Sequence, residues 1–180
     1  MIRPARNIDL DPIAASLPLL VAMMNEAGND QWGPHYPLQA DFAQDLAEGA
    51  LFVDDEDGAI RGFMALNLVE PSEYGPLPWK VPRPALVIHR LAVAPEFRRL
   101  GVAEGLLAFA EARAGALGLA GLRSDTSEAN PAMNALFAKR AWKFVGKLRF
   151  PDAKVGFRGW EKPVPDEVSR VQVDGDRPPG

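Results

Sequence analysis

The sequence predicts a mixed α/β fold, with one sheet built from strands at both ends of the chain and helices inserted between them. Three observations predict it. Residues 50–70, ALFVDDEDGAIRGFMALNLVE, set two apolar runs around an acidic turn that ends in Asp57-Gly58, the signature of a hairpin. Residues 85–126 alternate strand, helix and strand in the runs ALVIHRLAV, LGVAEGLLAFAEARAGALG and LAGLRSDT. Residues 142–150 and 155–163, WKFVGKLRF and VGFRGWEKP, close the pattern as a second hairpin. No internal repeat is visible, so the fold is neither a solenoid nor a helical bundle.

The remaining elements follow from local chemistry. Residues 2–9 read as a first strand. Residues 11–28 read as a helix, with Asp11 as N-cap, Pro12 at the first helical position and an interruption at Pro18. Residues 29–37 form a loop with Trp32, His35 and Tyr36, and 38–49 a short amphipathic helix stopped by Gly49. Five prolines in 71–84 forbid a regular helix or central strand, leaving a loop that carries Tyr74 and Trp79. In helix 100–118, Val102, Leu106, Phe109, Ala110 and Leu117 fall on one face. Helix 130–141 opens with Asn130 as N-cap and Pro131 at the first position. A single domain is expected over 1–163, with a polar tail over 164–180 that should fray.

Composition excludes several classes. The chain has 180 residues, 47% of them hydrophobic and 24% charged, enough to bury a core without staples. It has no cysteine, so disulfides, thiol nucleophiles and thiolate metal sites are absent. A net charge of −4 argues against a nucleic-acid partner. The start MIRPARNIDLDP lacks the apolar core of a signal peptide, and the apolar runs are read as too short for a membrane partner. His35 and His89 find no third ligand at a sensible spacing, so no metal is expected.

The stretch HRLAVAPEFRRLGVAEG, residues 89–105, carries the chemistry. A strand runs into a glycine-bearing turn and then a helix. The first amides of that helix lack intrahelical partners and sit at the positive end of its dipole, a seat for phosphate. Gly101 and Ala103 allow close approach to the backbone, while Arg98 and Arg99 add forked donors. The turn is neither a nucleotide P-loop nor a dinucleotide fingerprint. On spacing alone, an ordinary strand–turn–helix explains it equally well.

The run VAPEFRRLGVAEGLL resembles the acyl-CoA-binding motif of the GNAT superfamily of N-acetyltransferases, Gln/Arg-x-x-Gly-x-Gly/Ala. Here it reads Arg98-Arg99-Leu100-Gly101-Val102-Ala103. Downstream, DTSEANPAMNALFAKRAWKFVG (125–146) is similar to a branch that reads Asp-Thr-His-x-x-Asn-x-x-Met, with Ser127 in place of the histidine and Ala141-Trp142 in place of Gly-Phe. The resemblance spans about 32–160. It implies a central, mostly antiparallel twisted sheet of about seven strands, helices on both faces, and a splayed pair of central strands.

The resemblance also implies roles. The arm of acetyl-CoA would lie in the gap between strands 85–93 and 120–126, against Leu91, Ala92 and Val93. The pyrophosphate would meet Arg98, Arg99, Leu100, Gly101, Val102 and Ala103, and the second motif would add Asp125, Asn130, Met133 and Phe137. Asn130 serves equally as a helix cap. Phe137 stands where the family places an acidic tyrosine and has no hydroxyl, so Tyr74 or a water is the alternative acid. His89 is the candidate general base, and a buried structural histidine is the alternative reading. By simple alternation it shares a face with Val87, Leu91 and Val93. The acceptor pocket would be walled by residues 11–48 and 70–84. Its candidates are Trp32, His35, Tyr36, Glu70, Glu73, Tyr74 and Trp79. The implied activity is transfer of an acetyl group from acetyl-CoA to a primary amine of a small molecule. A protein N-terminal or lysine acetyltransferase and a non-catalytic acyl-CoA-binding domain are the alternatives. The expected setting is the cytoplasm, and a homodimer is among the expected assemblies.

Overall fold

A computed structural model describes residues 1–151 and 153–165. Seven strands form one sheet in the order β1-β2-β3-β4-β5-β7-β6. They are β1 Ile2–Pro4, β2 Leu51–Glu56, β3 Ala59–Asn67, β4 Leu86–Val93, β5 Gly121–Ser127, β6 Lys143–Leu148 and β7 Phe157–Pro163. All neighbours pair antiparallel except β4 and β5, which run parallel. The four helices are α1 Leu10–Glu26, α2 Gln39–Ala47, α3 Val102–Ala116 and α4 Pro131–Lys139. The expected mixed fold, with helices on both faces, is the one observed.

One face of the sheet buries Met64, Leu66, Leu86, Ile88 and Leu122 against Leu106, Leu107 and Ala110 of α3 and Phe137 of α4. The other buries Leu51, Val53 and Phe63 against Ile13, Leu17 and Leu20 of α1 and Phe42 of α2. Each fully buried Leu or Phe contributes roughly 1.5–3 kcal/mol relative to exposure. A smaller cluster of Tyr74, Val87, Leu148 and Phe157 pins the proline-rich loop to the sheet.

The β2–β3 hairpin closes as its sequence predicts. Asp57 and Gly58 both take positive φ, 53° and 88°, and Asp55 Oδ1 accepts the Gly58 amide at 2.8 Å. Helix α1 departs from expectation twice. It begins at Leu10, ahead of Asp11 and Pro12, because the Asp9 carboxylate is held by Arg3 (2.7 and 2.9 Å) and by the Arg6 amide. It also runs through Pro18 unbroken. Pro18 lies on the solvent side, where the carbonyl it leaves without a helical donor is open to water. By length and composition Asn7–Glu26 reaches that of a membrane span, contrary to expectation; in this fold its Ile13–Leu17–Leu20 stripe packs on the sheet. In α3, Leu117 is exposed at the C-terminal end, and Leu107 and Ala114 complete the buried face. The fraying tail was placed from residue 164. Val164 instead donates its amide to Ala120 O at 2.9 Å and packs on the core, while 166–180 lie outside the described residues.

Candidate active site

The site begins with an extra residue in β4. Gly62 opposes Val93 and Phe63 opposes Ala92, but Ala65 opposes His89. Met64 therefore faces both Arg90 and Leu91, a β-bulge, and Arg90 takes the left-handed conformation with φ 51°. Its cost is met by anchoring: the Arg90 guanidinium donates from Nε to Asp45 Oδ2 at 2.7 Å, from Nη2 to Asp45 Oδ1, and from Nη1 to Tyr36 Oη at 3.2 Å. The bulge reverses the alternation. Ile88, Leu91 and Val93 face α3, whereas Val87 and Ala92 face the other side. His89 thus shares a face with Val87 and Ala92. The expected grouping with Leu91 and Val93 fails because it counted alternation through an irregular strand.

At the same point β4 leaves β5. The parallel ladder holds only Leu86–Leu122, Val87–Arg123 and Ile88–Ser124. Beyond it β5 stays paired with β7 through Ser127, and β4 with β3. The strand ends part as expected, and a cavity of about 490 Å³ opens there. Its polar lining is Asp30, Gln31, His89, Arg90 and Asp125; Trp32, Tyr36, Phe150 and Phe157 supply aromatic walls. The Phe150, Pro151 and Ala153 wall comes from the β6–β7 connection, which sequence reasoning left out. Only the proline beside two aromatics in RFPDA could have signalled an ordered loop there.

His89 is buried and neutral. Burial, reinforced by the Arg90 charge, lowers its pKa to about 4. Nε2 lies 3.0 Å from Asn67 Oδ1 and 3.1 Å from Val69 O. Both are acceptors, so Nε2 carries the proton and donates. Nδ1 keeps its lone pair and has no partner among the described residues.

Asp125 is the counterpart on β5. Tyr74 Oη donates to its Oδ1 at 2.7 Å, while Oδ2 has no partner among the described residues. Burial raises its pKa to about 6 despite that hydrogen bond, and Glu73 adds to the rise. Tyr74 is itself fully buried, with a pKa well above its ordinary value through burial and the adjacent carboxylate. That corrects the expectation of Tyr74 as acid: the phenol holds its proton for Asp125. The two residues are 51 positions apart, and no local pattern joins them.

At the other end of the gap, β4 leads through Pro95–Phe97 into α3. Gly101 caps α3 with φ 81°, and an added Cβ there would meet no atom within 4 Å. Arg99 also has positive φ, 62°. Arg98, Arg99 and Leu100 are exposed, Val102 is buried under the helix, and Ala103 is half-buried. Leu91 and Val93 are partly buried against the α3 face, and Ala92 against the opposite one.

The other expected residues divide. Asn130 caps α4, accepting the Met133 amide at 3.1 Å and donating to Thr126 Oγ1 at 3.2 Å. Met133 is half-buried against the core. Phe137 is 1% exposed, packed against Trp142 and Trp160, so it is a core residue and not a gap-facing one. Trp79 does not line the cavity; it donates Nε1 to Tyr74 O at 2.8 Å and lies under the Arg123 guanidinium, pinning the loop. Glu70 is engaged by Arg83 and Arg123, both at 2.6 Å. Glu73 is half-buried beside Tyr74, and His35 is exposed outside the cavity. Trp32 is 3% exposed, stacked on Phe63, and lines the cavity with Tyr36. Sequence reasoning missed Gln31, whose Oε1 accepts Thr126 Oγ1 at 3.2 Å and the Ser127 amide at 3.0 Å.

Split strands running into an open, arginine-flanked helix start are matched by comparison with known proteins. The model of the Acetyltransferase (GNAT) family matches residues 19–142. The chain belongs to that family. Among solved structures, one assigned as an acetyltransferase from Staphylococcus aureus Mu50 is 29% identical, with TM-score 0.72, over 92% of this chain and 99% of that one. A GNAT-family acetyltransferase from Streptococcus agalactiae 2603 is 24% identical, with TM-score 0.75, over 91% and 94%. The ribosomal-protein-S18-alanine N-acetyltransferase of Escherichia coli shares the fold at 17% identity and TM-score 0.64, over 91% and 93%. No relative is found among the curated proteins. Membership of the GNAT family supports acetyl transfer as the general chemistry of this chain.

Proposed function

We propose that the protein transfers the acetyl group of acetyl-CoA to the primary amine of a small molecule. One observation carries this: the parted ends of β4 and β5 connect an open helix start to a walled cavity holding a neutral histidine and a buried carboxylate. The residues present fit acetyl-CoA. The space beside Gly101 is free of side chains, and among the described residues Arg98 and Arg99 make no ion pair that would compete with a phosphate. The first amides of α3 with these two side chains would hold the pyrophosphate. The backbone of Leu91, Ala92 and Val93 would run beside the pantetheine arm. A small acceptor is favoured because the 29–37 loop and the β6–β7 connection wall the cavity on opposite sides, where a protein substrate needs an open groove.

Bound acetyl-CoA supplies an activated acyl group as a thioester. The chain orients the acceptor nitrogen towards it and excludes bulk water, which supplies much of the rate gain in a two-substrate transfer. His89 Nδ1 would accept a hydrogen bond from the incoming amine, with Asn67 and Val69 fixing the ring's tautomer.

The test is thermal unfolding with and without acetyl-CoA, on the wild type, on Gly101→Glu and on Arg98→Ala/Arg99→Ala. A ligand at a hundredfold excess over its Kd stabilises by about 2.7 kcal/mol. The wild type should show such an upward shift. Gly101→Glu should lose it, and the double variant should need roughly tenfold more ligand for half the effect. An unshifted, folded wild type at millimolar acetyl-CoA would refute the reading.

A further inference from the structure

The cavity's charges point to its acceptor, on the reading that the protein is an acetyl-CoA-dependent N-acetyltransferase. Four charged or chargeable side chains besides Tyr36 line it: Asp30, His89, Arg90 and Asp125. Arg90 is spent on Asp45, a buried carboxylate outside the lining. His89 is neutral. The uncompensated charge is therefore negative, with Asp125 innermost and Asp30 exposed. Everything else on the wall is apolar or aromatic apart from Gln31, whose carbonyl oxygen is held by β5.

We infer that Asp125, oriented by Tyr74, docks the acceptor's ammonium group and takes its proton, and that the acceptor is an amine with an apolar body and no carboxylate beside its nitrogen. The Tyr74 hydroxyl occupies one carboxylate oxygen and leaves Oδ2 for the ligand. A carboxylate on the acceptor would meet Asp125 and Asp30 with no free cation in the lining to receive it, and like charges buried together repel strongly. An apolar body meets Trp32, Tyr36, Phe150 and Phe157.

The step balances. The ammonium gives one proton to Asp125 Oδ2, leaving a neutral amine. Its nitrogen lone pair forms the C–N bond at the thioester carbonyl. The C–S bond breaks with its electron pair on sulfur, and the second nitrogen proton passes to that sulfur. The products are the amide and the coenzyme A thiol; Asp125 then releases its proton to water. A positioned general base adds a factor of about 10² to 10⁴.

The groups facing Asp125 set its protonation. They are Tyr74 and Glu73 from the loop before β4, His89 and Arg90 from β4, and Asp30 and Tyr36 from the 29–37 loop. Its neighbour on β7 is Gly159, which carries no charge. The Tyr74 hydrogen bond lowers the carboxyl pKa, so removing the hydroxyl must raise it.

The experiment compares 2-phenylethylamine with phenylalanine, which differ by one carboxylate, across pH 5–9 on wild type, Asp125→Asn, Tyr74→Phe and His89→Ala. The wild type should acetylate 2-phenylethylamine with kcat/KM at least 100-fold above that for phenylalanine, with an acid limb near pH 6. Asp125→Asn should lose at least 100-fold and its acid limb, while keeping the thermal shift with acetyl-CoA, which shows it folded. Tyr74→Phe should keep the limb but move it to higher pH; a merely structural tyrosine would lower the rate at every pH without moving it. Equal use of both acceptors, no turnover of 2-phenylethylamine by a wild type that binds acetyl-CoA, or an Asp125→Asn variant with the wild-type limb would each overturn the inference while leaving the acetyltransferase reading intact. Failure of the wild type to bind acetyl-CoA would overturn both.

Discussion

The two ends of the β4–β5 pair are made from the same strands and behave oppositely. At the lower end, Leu86 and Leu122 are fully buried beneath α3, and three register pairs hold the strands together. At the upper end, one residue further along each strand, His89 and Asp125 face a cavity. No change of hydrophobicity along the strands accounts for this. The difference is one extra residue at Arg90, with a buried carboxylate on α2 that holds it in place. Packing closes one end and a charged anchor opens the other.

Breaking the anchor should have the largest effect. Arg90→Ala leaves Asp45 buried without its partner and should cost about 3–5 kcal/mol in urea unfolding. Arg90→Gly loses the same ion pair but relieves the left-handed backbone, so it should be about 1–2 kcal/mol more stable than Arg90→Ala. Equal stabilities would mean that the bulge carries no strain.

Weakening the closed end comes next. Leu122→Ala removes a fully buried side chain and should cost about 2–5 kcal/mol, with acetyl-CoA affinity of the folded protein unchanged. A large loss of affinity would show that the lower end tunes the upper one.

The smallest net effect is hidden by cancellation. His89 has a folded pKa of about 4, below its ordinary 6.5, so unfolded chains bind its proton first and stability falls as pH drops through that window. Asp125 has a folded pKa of about 6, above its ordinary 3.8, so the folded state binds its proton first and stability rises as pH drops from 6 to 3.8. Each amounts to roughly 3 kcal/mol at one pH unit per 1.4 kcal/mol, with opposite sign. The wild type should therefore change little from these two between pH 6 and 4. Asp125→Asn should lose stability on acidification and His89→Gln should gain it. Parallel curves for the two variants would show that the sites do not oppose each other.

What the sequence made legible was local. The Asp57-Gly58 turn, the Asn130-Pro131 cap and the passage from strand to glycine to helix at 85–116 all depend on neighbours within a few residues. The splayed strands followed from a family resemblance and not from periodicity. What stayed hidden depends on contacts across the fold. Pro18 sits inside a helix because that side faces water. The bulge is invisible in LVIHRLAV because its cause, Asp45, lies 45 residues earlier. Tyr74 and Asp125, and Gln31 with the end of β5, meet only after the sheet has formed. Phe137 was assigned by motif position to the gap, but two tryptophans from β6 and β7 and their approach claimed it for the core.

Gln31 has one more consequence. The Ser127 amide is bonded to a side chain of the 29–37 loop and not to a neighbouring strand. Its exchange with deuterated solvent is therefore gated by departure of that loop, while the flanking amides of β5 report on the ladder with β7. This single N–H is a built-in gauge of how often the wall bearing Trp32 and Tyr36 lifts away, readable in the resting protein before any acceptor is known.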